Sequence, residues 1–207
     1  KIMTALLTIE NLPDLNETIT VPEDIFEELT AQDASVAGFN PYEQPTVRDL
    51  LYGVLLPSGA DACETLARAV GGSEEGFVAM MNQKAEELGL TNTHFENCTG
   101  LHNDNHYSTC RDIAVLMSEC LKSDTFREIV TREVYTTEAT ASHPEGITLY
   151  DTMLHRFTSY EMSTTLENGA VIEGGKTGFT DEAGQCLVSF AEYGGEEYIL
   201  VTAEAMT

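Results

Sequence analysis

An α/β fold is predicted for this chain, a single domain with a mainly helical lobe over residues 41–168 set between two sheet-bearing ends, 1–40 and 169–207. Three observations predict it. Apolar residues recur at helical spacing in a series of capped segments between Thr46 and Leu121. From Gly169 onward the pattern changes to strand, turn, strand, strand. Hydrophobic residues make up 42% of the 207 and are spread along the whole chain, enough for one sizeable core or two tightly joined lobes. No internal repeat or low-complexity linker divides it.

Lys1 to Glu10 reads as a helix already under way, with no capping residue and an apolar face through Ile2, Leu6 and Ile9. Glu17-Thr-Ile-Thr-Val21 alternates as a strand ending at Pro22, and Ser35-Val-Ala-Gly38 offers a second short one. Thr46 followed by Asp49 is the hydroxyl-then-acid pattern of a helix N-terminus, and Leu50 to Leu56 continues as a helix so apolar that it must be buried. Pro57-Ser58-Gly59 breaks it. Asp61 opens a helix through Val70 that Gly71-Gly72 stops, and Ser73 caps another to Leu88 with Gly89 at its end. Ser58 therefore sits on a tight connection inside a helical cluster, where a hydroxyl is held rigidly.

After a polar loop through Asn105, Ser108 to Asp112 caps a helix to about Leu121, and Asp124 starts a shorter one. Residues 132–138 read as extended, 148–154 fit strand or helix equally, and 159–166 fit a loop or a helical turn. Ala170–Phe179, Gln185–Glu192 and Glu197 to about Ala205 read as strands, with Glu192-Tyr-Gly-Gly195 turning between the last two.

Thirty-five acidic against ten basic residues give a net charge of −25, which repels a phosphate backbone and an anionic membrane surface and excludes nucleic acid as a partner. No apolar run approaches the ~20 residues that cross a bilayer. The start is too short for a secretory signal, so any targeting or anchoring segment is expected outside this chain. Five cysteines, at 63, 98, 110, 120 and 186, form no Cys-x-x-Cys pair, which argues against a zinc site or a complete disulfide framework. Cys63, Cys120 and Cys186 are expected as small buried hydrophobes. His102-Asn-Asp-Asn-His106 lies in a loop, where a helical ligand pair has no helix to stand on. No metal and no cofactor is expected.

The chemistry centres on Gly174-Gly-Lys-Thr-Gly-Phe-Thr-Asp-Glu-Ala-Gly184. Lys176-Thr177-Gly178 is not a phosphate loop: that motif needs glycine at 170, where Ala170 stands, and a helix after the lysine, where a turn and a strand follow. A strand remains that presents a cation and a hydroxyl to a cleft, with Gly178 permitting close approach of a substrate backbone. Acyl transfer by a serine needs a base, a proton donor for the leaving amine and backbone donors for the oxyanion. A lysine is such a base only when neutral, and burial beside a second cation lowers its pKa. Lys1, on a helix among apolar residues, and Lys176 fill those two parts if the fold brings them together.

Lys-Ile-Met-Thr-Ala-Leu-Leu at 1–7, Tyr-Gly-Val-Leu-Leu-Pro-Ser-Gly-Ala-Asp-Ala at 52–62, Asn-His-Tyr-Ser-Thr at 105–109 and Gly-Lys-Thr-Gly-Phe-Thr-Asp-Glu-Ala-Gly at 175–184 together resemble the D-alanyl-D-alanine carboxypeptidases. These are low-molecular-mass penicillin-binding proteins of the serine peptidase type. The resemblance spans almost the whole chain in the family's order. It implies a β-lactamase/transpeptidase-like three-layer α/β/α sandwich with an antiparallel sheet and an inserted helical lobe. It implies Lys1 as the general base of Ser-x-x-Lys and Ser58 as a proton shuttle. Lys176 and Thr177 would bind the substrate's terminal carboxylate, Gly178 would admit its backbone, and the N–H of Phe179 would be one oxyanion donor. Partners would be peptidoglycan D-Ala-D-Ala peptides and, as covalent inhibitors, β-lactam antibiotics. Localisation would be extracytoplasmic, in the cell envelope, with any membrane attachment through segments outside this chain.

Two departures from the family pattern bear on function. The third position of Ser-x-Asn is Ala60, so the side-chain amide that orients a substrate backbone is absent, and Asp61 comes one residue late. The nucleophilic serine is expected three residues before Lys1, so the chain reads as part of a longer domain and by itself is expected not to turn over substrate. A non-catalytic module that binds wall peptides or a partner protein is the alternative. A class A-type β-lactamase is a further one, with Glu167-Asn168 as its only nearby candidate for the deacylating loop acid.

Overall fold

The computed structural model describes residues 1–205; Met206 and Thr207, the last two of the segment 169–207, lie outside the described residues. Eight helices and five strands follow in the order α1 (Ile2–Asn11), α2 (Ile25–Ala31), α3 (Val47–Leu55), α4 (Ala60–Gly71), α5 (Glu74–Glu87), α6 (Cys110–Cys120), α7 (Asp124–Val130), β1 (Val134–Thr136), β2 (Thr148–Tyr150), α8 (Leu154–Ser159), β3 (Val171–Thr180), β4 (Gly184–Tyr193) and β5 (Glu196–Ala205). The helical starts are those the side chains dictate. Thr46 and Asp49 form a reciprocal capping box on α3, and the hydroxyls of Ser73, Thr109 and Ser123 each accept the backbone N–H of N3 on α5, α6 and α7.

Helix α1 is the axis of the helical lobe. Ile2 through Thr8 are buried in unbroken succession, walled by α3, α4, α5, α6 and α7. A helix apolar all round is one surrounded by protein. Its two buried hydroxyls are satisfied locally: Thr8 donates to Thr4 O at 2.8 Å, and Thr4 donates to Cys98 O at 2.7 Å. Truncating a fully buried leucine such as Leu51 or Leu66 to alanine would cost about 2–5 kcal/mol in such a core.

The sheet has the order β3-β4-β5, antiparallel throughout, and β1 pairs with β2 as a separate two-stranded ribbon. One face of the sheet, with Lys176, Val188 and Phe190 buried and Ile199 and Val201 half-buried, packs toward α6 and α7. The other leaves Tyr198 and Leu200 of β5 exposed. Strand β3 runs so close to the end of α7 that a Cβ at Gly174 would meet Val130 O at 2.3 Å, so only glycine fits there.

The expected strands of the N-terminal segment do not form, and residues 1–40 contribute no strand to either sheet among the described residues. Residues 17–21 do pair with 42–46, through Ile19 N–H to Pro45 O and Val21 N–H to Glu43 O. Pro45 lacks a donor and Tyr42 has φ +62°, so the ladder shrinks to a single bridge, Thr18↔Thr46. At 35–38 a competitor takes the backbone: the N–H groups of Ala37, Gly38 and Phe39 all donate to the Asp61 carboxylate, at 2.7, 3.0 and 3.1 Å. Residues 148–154, ambiguous in sequence, divide between β2 and the start of α8. No helix of the described residues is long and apolar enough to cross a membrane.

Candidate active site

Lys1 stands at the N-cap of α1 and its Nζ donates to Thr99 O at 2.5 Å. Thr4, one helical turn on, holds the adjacent Cys98 carbonyl, so two residues on one face of α1 grip the loop that follows α5. The amine is thereby placed against the backbone of that loop.

Ser58 lies between α3 and α4 in the left-handed region, at φ +66°. A side chain there costs about 1–3 kcal/mol, which the surroundings must impose. They do so through Gly59 N–H to Gly53 O at 2.8 Å and Ala60 N–H to Ser35 O at 2.7 Å. Gly59 is required sterically, because a Cβ there would lie 2.7 Å from both Ala37 N and Asp61 Oδ1. Ala60 is buried in the first turn of α4, and Asp61, spent on three backbone donors, stays with the 37–39 segment. The Ser58 hydroxyl makes no hydrogen bond among the described residues and is not joined directly to either lysine. Its loop reaches the sheet indirectly: Thr152 N–H donates to Leu56 O at 3.2 Å, and Thr152 Oγ1 lies 2.6 Å from Thr177 Oγ1.

Strand β3 is an edge strand, so alternate backbone groups of residues 176–179 are not engaged by β4. Period-two alternation sends Lys176 to the inner face, where it is only 6% exposed and donates to Thr177 O at 2.9 Å. Burial pushes its pKa down to about 8, with the Lys1 charge acting in the same direction and Asp151 and Cys63 partly opposing. The structure thus brings Lys1 and Lys176 into electrostatic range, with the Cys63 thiol of α4 facing both cations. Thr177 points to the opposite face, into a cleft of about 400 Å³ that Thr152, Arg156, Phe157 and Leu187 also line. Phe179 is exposed near the end of β3. His102 Nδ1 of the loop after Thr99 lies 3.5 Å from Glu182 Oε2 in the β3–β4 turn, tying the helical lobe to the sheet.

Thr99, Asp151 and Thr152 belong to this constellation and carry no motif that singles them out. For Asp151 a signal existed: an acid before an apolar run is a helix-start pattern, and its carboxylate accepts from Met153 N and Leu154 N at 2.8 and 2.6 Å, opening α8. Of the cysteines, Cys63 and Cys120 are buried as expected, while Cys186 is only half-buried; all five thiols are free. Cys98 instead joins an acidic pair, its thiol 3.2 Å from Glu64 Oε1 and its N–H donating to Glu74. Burial first, and then the Glu74 charge, raise the pKa of Glu64.

Comparison with known proteins gives this arrangement its relatives. The family model described as D-alanyl-D-alanine carboxypeptidase matches residues 1–207. D-alanyl-D-alanine carboxypeptidase DacF of Bacillus subtilis (strain 168) is 34% identical over 208 residues, covering 100% of this chain and 50% of that protein. The D-alanyl-D-alanine carboxypeptidase of Streptomyces sp. (strain K15) is 36% identical, covering 96% of this chain and 68% of its own length. The chain therefore spans about half the length of DacF and two thirds of the Streptomyces protein. The crystal structure of the Streptomyces K15 DD-transpeptidase matches 100% of this chain and 79% of its own, at 33% identity and a TM-score of 0.86. D-alanyl-D-alanine carboxypeptidase from Mycobacterium tuberculosis matches at 27% identity and a TM-score of 0.80, covering 100% of this chain and 72% of that one. Such likeness over every element places the fold among the transpeptidase-like α/β/α sandwiches, and by sequence and structure together the chain belongs to the D-alanyl-D-alanine carboxypeptidase family.

Proposed function

We propose that the protein is a serine-type D-Ala-D-Ala carboxypeptidase acting on peptidoglycan stem peptides outside the cytoplasm, with residues 1–207 forming part of its single catalytic domain. The observation that carries this reading is the pairing of two lysines from opposite ends of the chain. Lys1 is fixed on Thr99 O, and Lys176 is buried within range of its charge. The two amines thus come from distant parts of the sequence to one buried region, one held by a backbone carbonyl and the other on the inner face of β3.

The attacking hydroxyl in this scheme is a serine three residues before Lys1, one helical turn away on the same face. As it adds to the penultimate D-alanine carbonyl, its proton passes to Lys1 Nζ, and the developing oxyanion is held by backbone donors including Phe179 N–H. The tetrahedral adduct collapses with cleavage of the peptide C–N bond, and Ser58 relays the proton to the departing D-alanine nitrogen. Water then adds to the ester and its proton returns by the same route, freeing the serine. Lys176 and Thr177 hold the terminal carboxylate, and Gly178 lets the peptide backbone approach β3.

β-Lactams acylate the same serine in this scheme. The test uses the full-length protein with a peptide ending in D-Ala-D-Ala and, separately, a penicillin. Release of D-alanine and a persistent penicilloyl adduct by mass spectrometry, both abolished in Lys1→Ala, are the expected results. Absence of both in the wild type would overturn the reading and favour a non-catalytic binding module, the alternative that Ala60 suggests. Rapid turnover of the penicillin would point to a β-lactamase.

A further inference from the structure

We propose that Thr152 is a positioning residue for the Lys-Thr-Gly strand: its hydroxyl donates to Thr177 Oγ1 and thereby frees the Thr177 hydroxyl proton for the substrate's terminal carboxylate. This rests on the reading of Thr177 as a carboxylate-binding group. Three contacts carry it. Thr152 Oγ1 and Thr177 Oγ1 are 2.6 Å apart, so one of the two protons lies between them. Thr152 N–H is bound to Leu56 O at 3.2 Å, two residues before Ser58. The preceding residue is anchored as well, Asp151 N–H donating to Glu133 O at 2.8 Å while its buried carboxylate caps α8.

A hydroxyl has one proton and two acceptor lone pairs. A carboxylate only accepts, so Thr177 must spend its single proton on the substrate, and the short contact is then satisfied only if Thr152 is the donor. The resulting chain, Thr152 O–H to Thr177 O–H to carboxylate, is a sequence in which each bond polarises the next. Thr152 bridges the Ser58 connection and β3 as a single residue. It therefore also sets how far the shuttle hydroxyl stands from the carboxylate site. Arg156, on the same wall of the cleft, lies one turn further along and supplies no bond to Thr177 among the described residues.

The experiment is a double-mutant cycle in the full-length protein, measuring D-alanine release. Thr152→Val keeps the shape and removes the donor. It should raise KM and lower kcat/KM about five- to tenfold, the size of one hydrogen bond to a group that binds a charge, with kcat nearly unchanged. Thr152→Ser should recover activity to within about twofold of wild type, and Thr152→Val should have no further effect once Thr177→Val is present, because its whole influence passes through that hydroxyl. A purely structural role would instead give losses that add across the cycle. Additive losses, an unimpaired Thr152→Val or a Thr152→Ser as defective as valine overturn this inference alone, given an active wild type. A wild type inert toward both peptide and penicillin overturns the function reading and this inference with it.

Discussion

Lys176→Met should make the protein more stable while disabling it. The ammonium is buried and repelled by Lys1, and the fall in its pKa from 10.5 to about 8 corresponds to about 3 kcal/mol against the charged form. Methionine fills a similar volume without that penalty, and loss of the bond to Thr177 O gives back about 1 kcal/mol. The variant should therefore be about 2 kcal/mol more stable at pH 7. Its advantage has a definite pH dependence. Between about pH 8 and 10.5 the unfolded wild type binds more protons at this site than the folded one, so wild-type stability rises with pH across that window. Below it both states are charged and the full cost applies; above it neither is charged and the cost vanishes. Equilibrium urea unfolding of both proteins at pH 7, 9 and 11 measures the difference, in which the titrations of groups not coupled to Lys176 cancel. A variant less stable than wild type at pH 7 would show that Asp151 makes the ammonium net stabilising. A difference that does not change with pH would show that burial of the charge is not its source. Either result refutes the reasoning.

Two further substitutions probe the frame of the site. Gly59→Ala places a Cβ 2.7 Å from Ala37 N and from Asp61 Oδ1 and should cost about 1–3 kcal/mol in thermal unfolding while slowing acylation by penicillin, because relief of the clash moves Ser58; an unchanged acylation rate would refute the coupling. Glu64→Gln should be more stable than wild type at pH 8 and no different at pH 4. The raised pKa of Glu64 means the folded state holds its proton longer than the unfolded one, and stability is lost as pH rises above the ordinary carboxylate range; thermal scans showing no such divergence would refute it.

What could be read in the sequence follows from how local each signal is. Capping hydroxyls, the apolar run of α3 and the alternation of β3, β4 and β5 act within a few residues, and those elements form with bounds within one or two residues of expectation. The strand patterns at 17–21 and 35–38 were equally local and failed, because their outcome was decided elsewhere: by a proline in the partner segment and by the Asp61 carboxylate more than 20 residues away. The site divides along the same line. Lys1, Ser58, Lys176 and Thr177 carry motifs, so residue type and order are enough to mark them as candidates. Thr99 serves through its carbonyl oxygen, which every residue possesses, and Thr152 through a contact across 25 positions that no spacing rule encodes. Backbone donors and positioning hydroxyls emerge only when the chain is folded.

The same asymmetry explains where this protein tolerates unfavourable conformations. Ser58 has a side chain at φ +66°, and Lys176 is a cation at 6% exposure; each is a local choice that lowers stability. They flank Thr152, and each is imposed by contacts from a different part of the core: Gly53 and Ser35 on the serine, the inner face of β3 on the lysine. A fold selected for stability alone would place glycine at 58 and methionine at 176. A strained hydroxyl and a destabilised cation at these places fit the proposed chemistry, in which a Ser58 hydroxyl with no competing protein partner is left to bond the reacting groups, and a poorly solvated cation attracts an anion strongly. The rigid helical lobe around α1 supplies the stability against which these costs are set, so a destabilising change in that core, far from the cleft, should be felt first as relaxation of Ser58 out of its left-handed conformation.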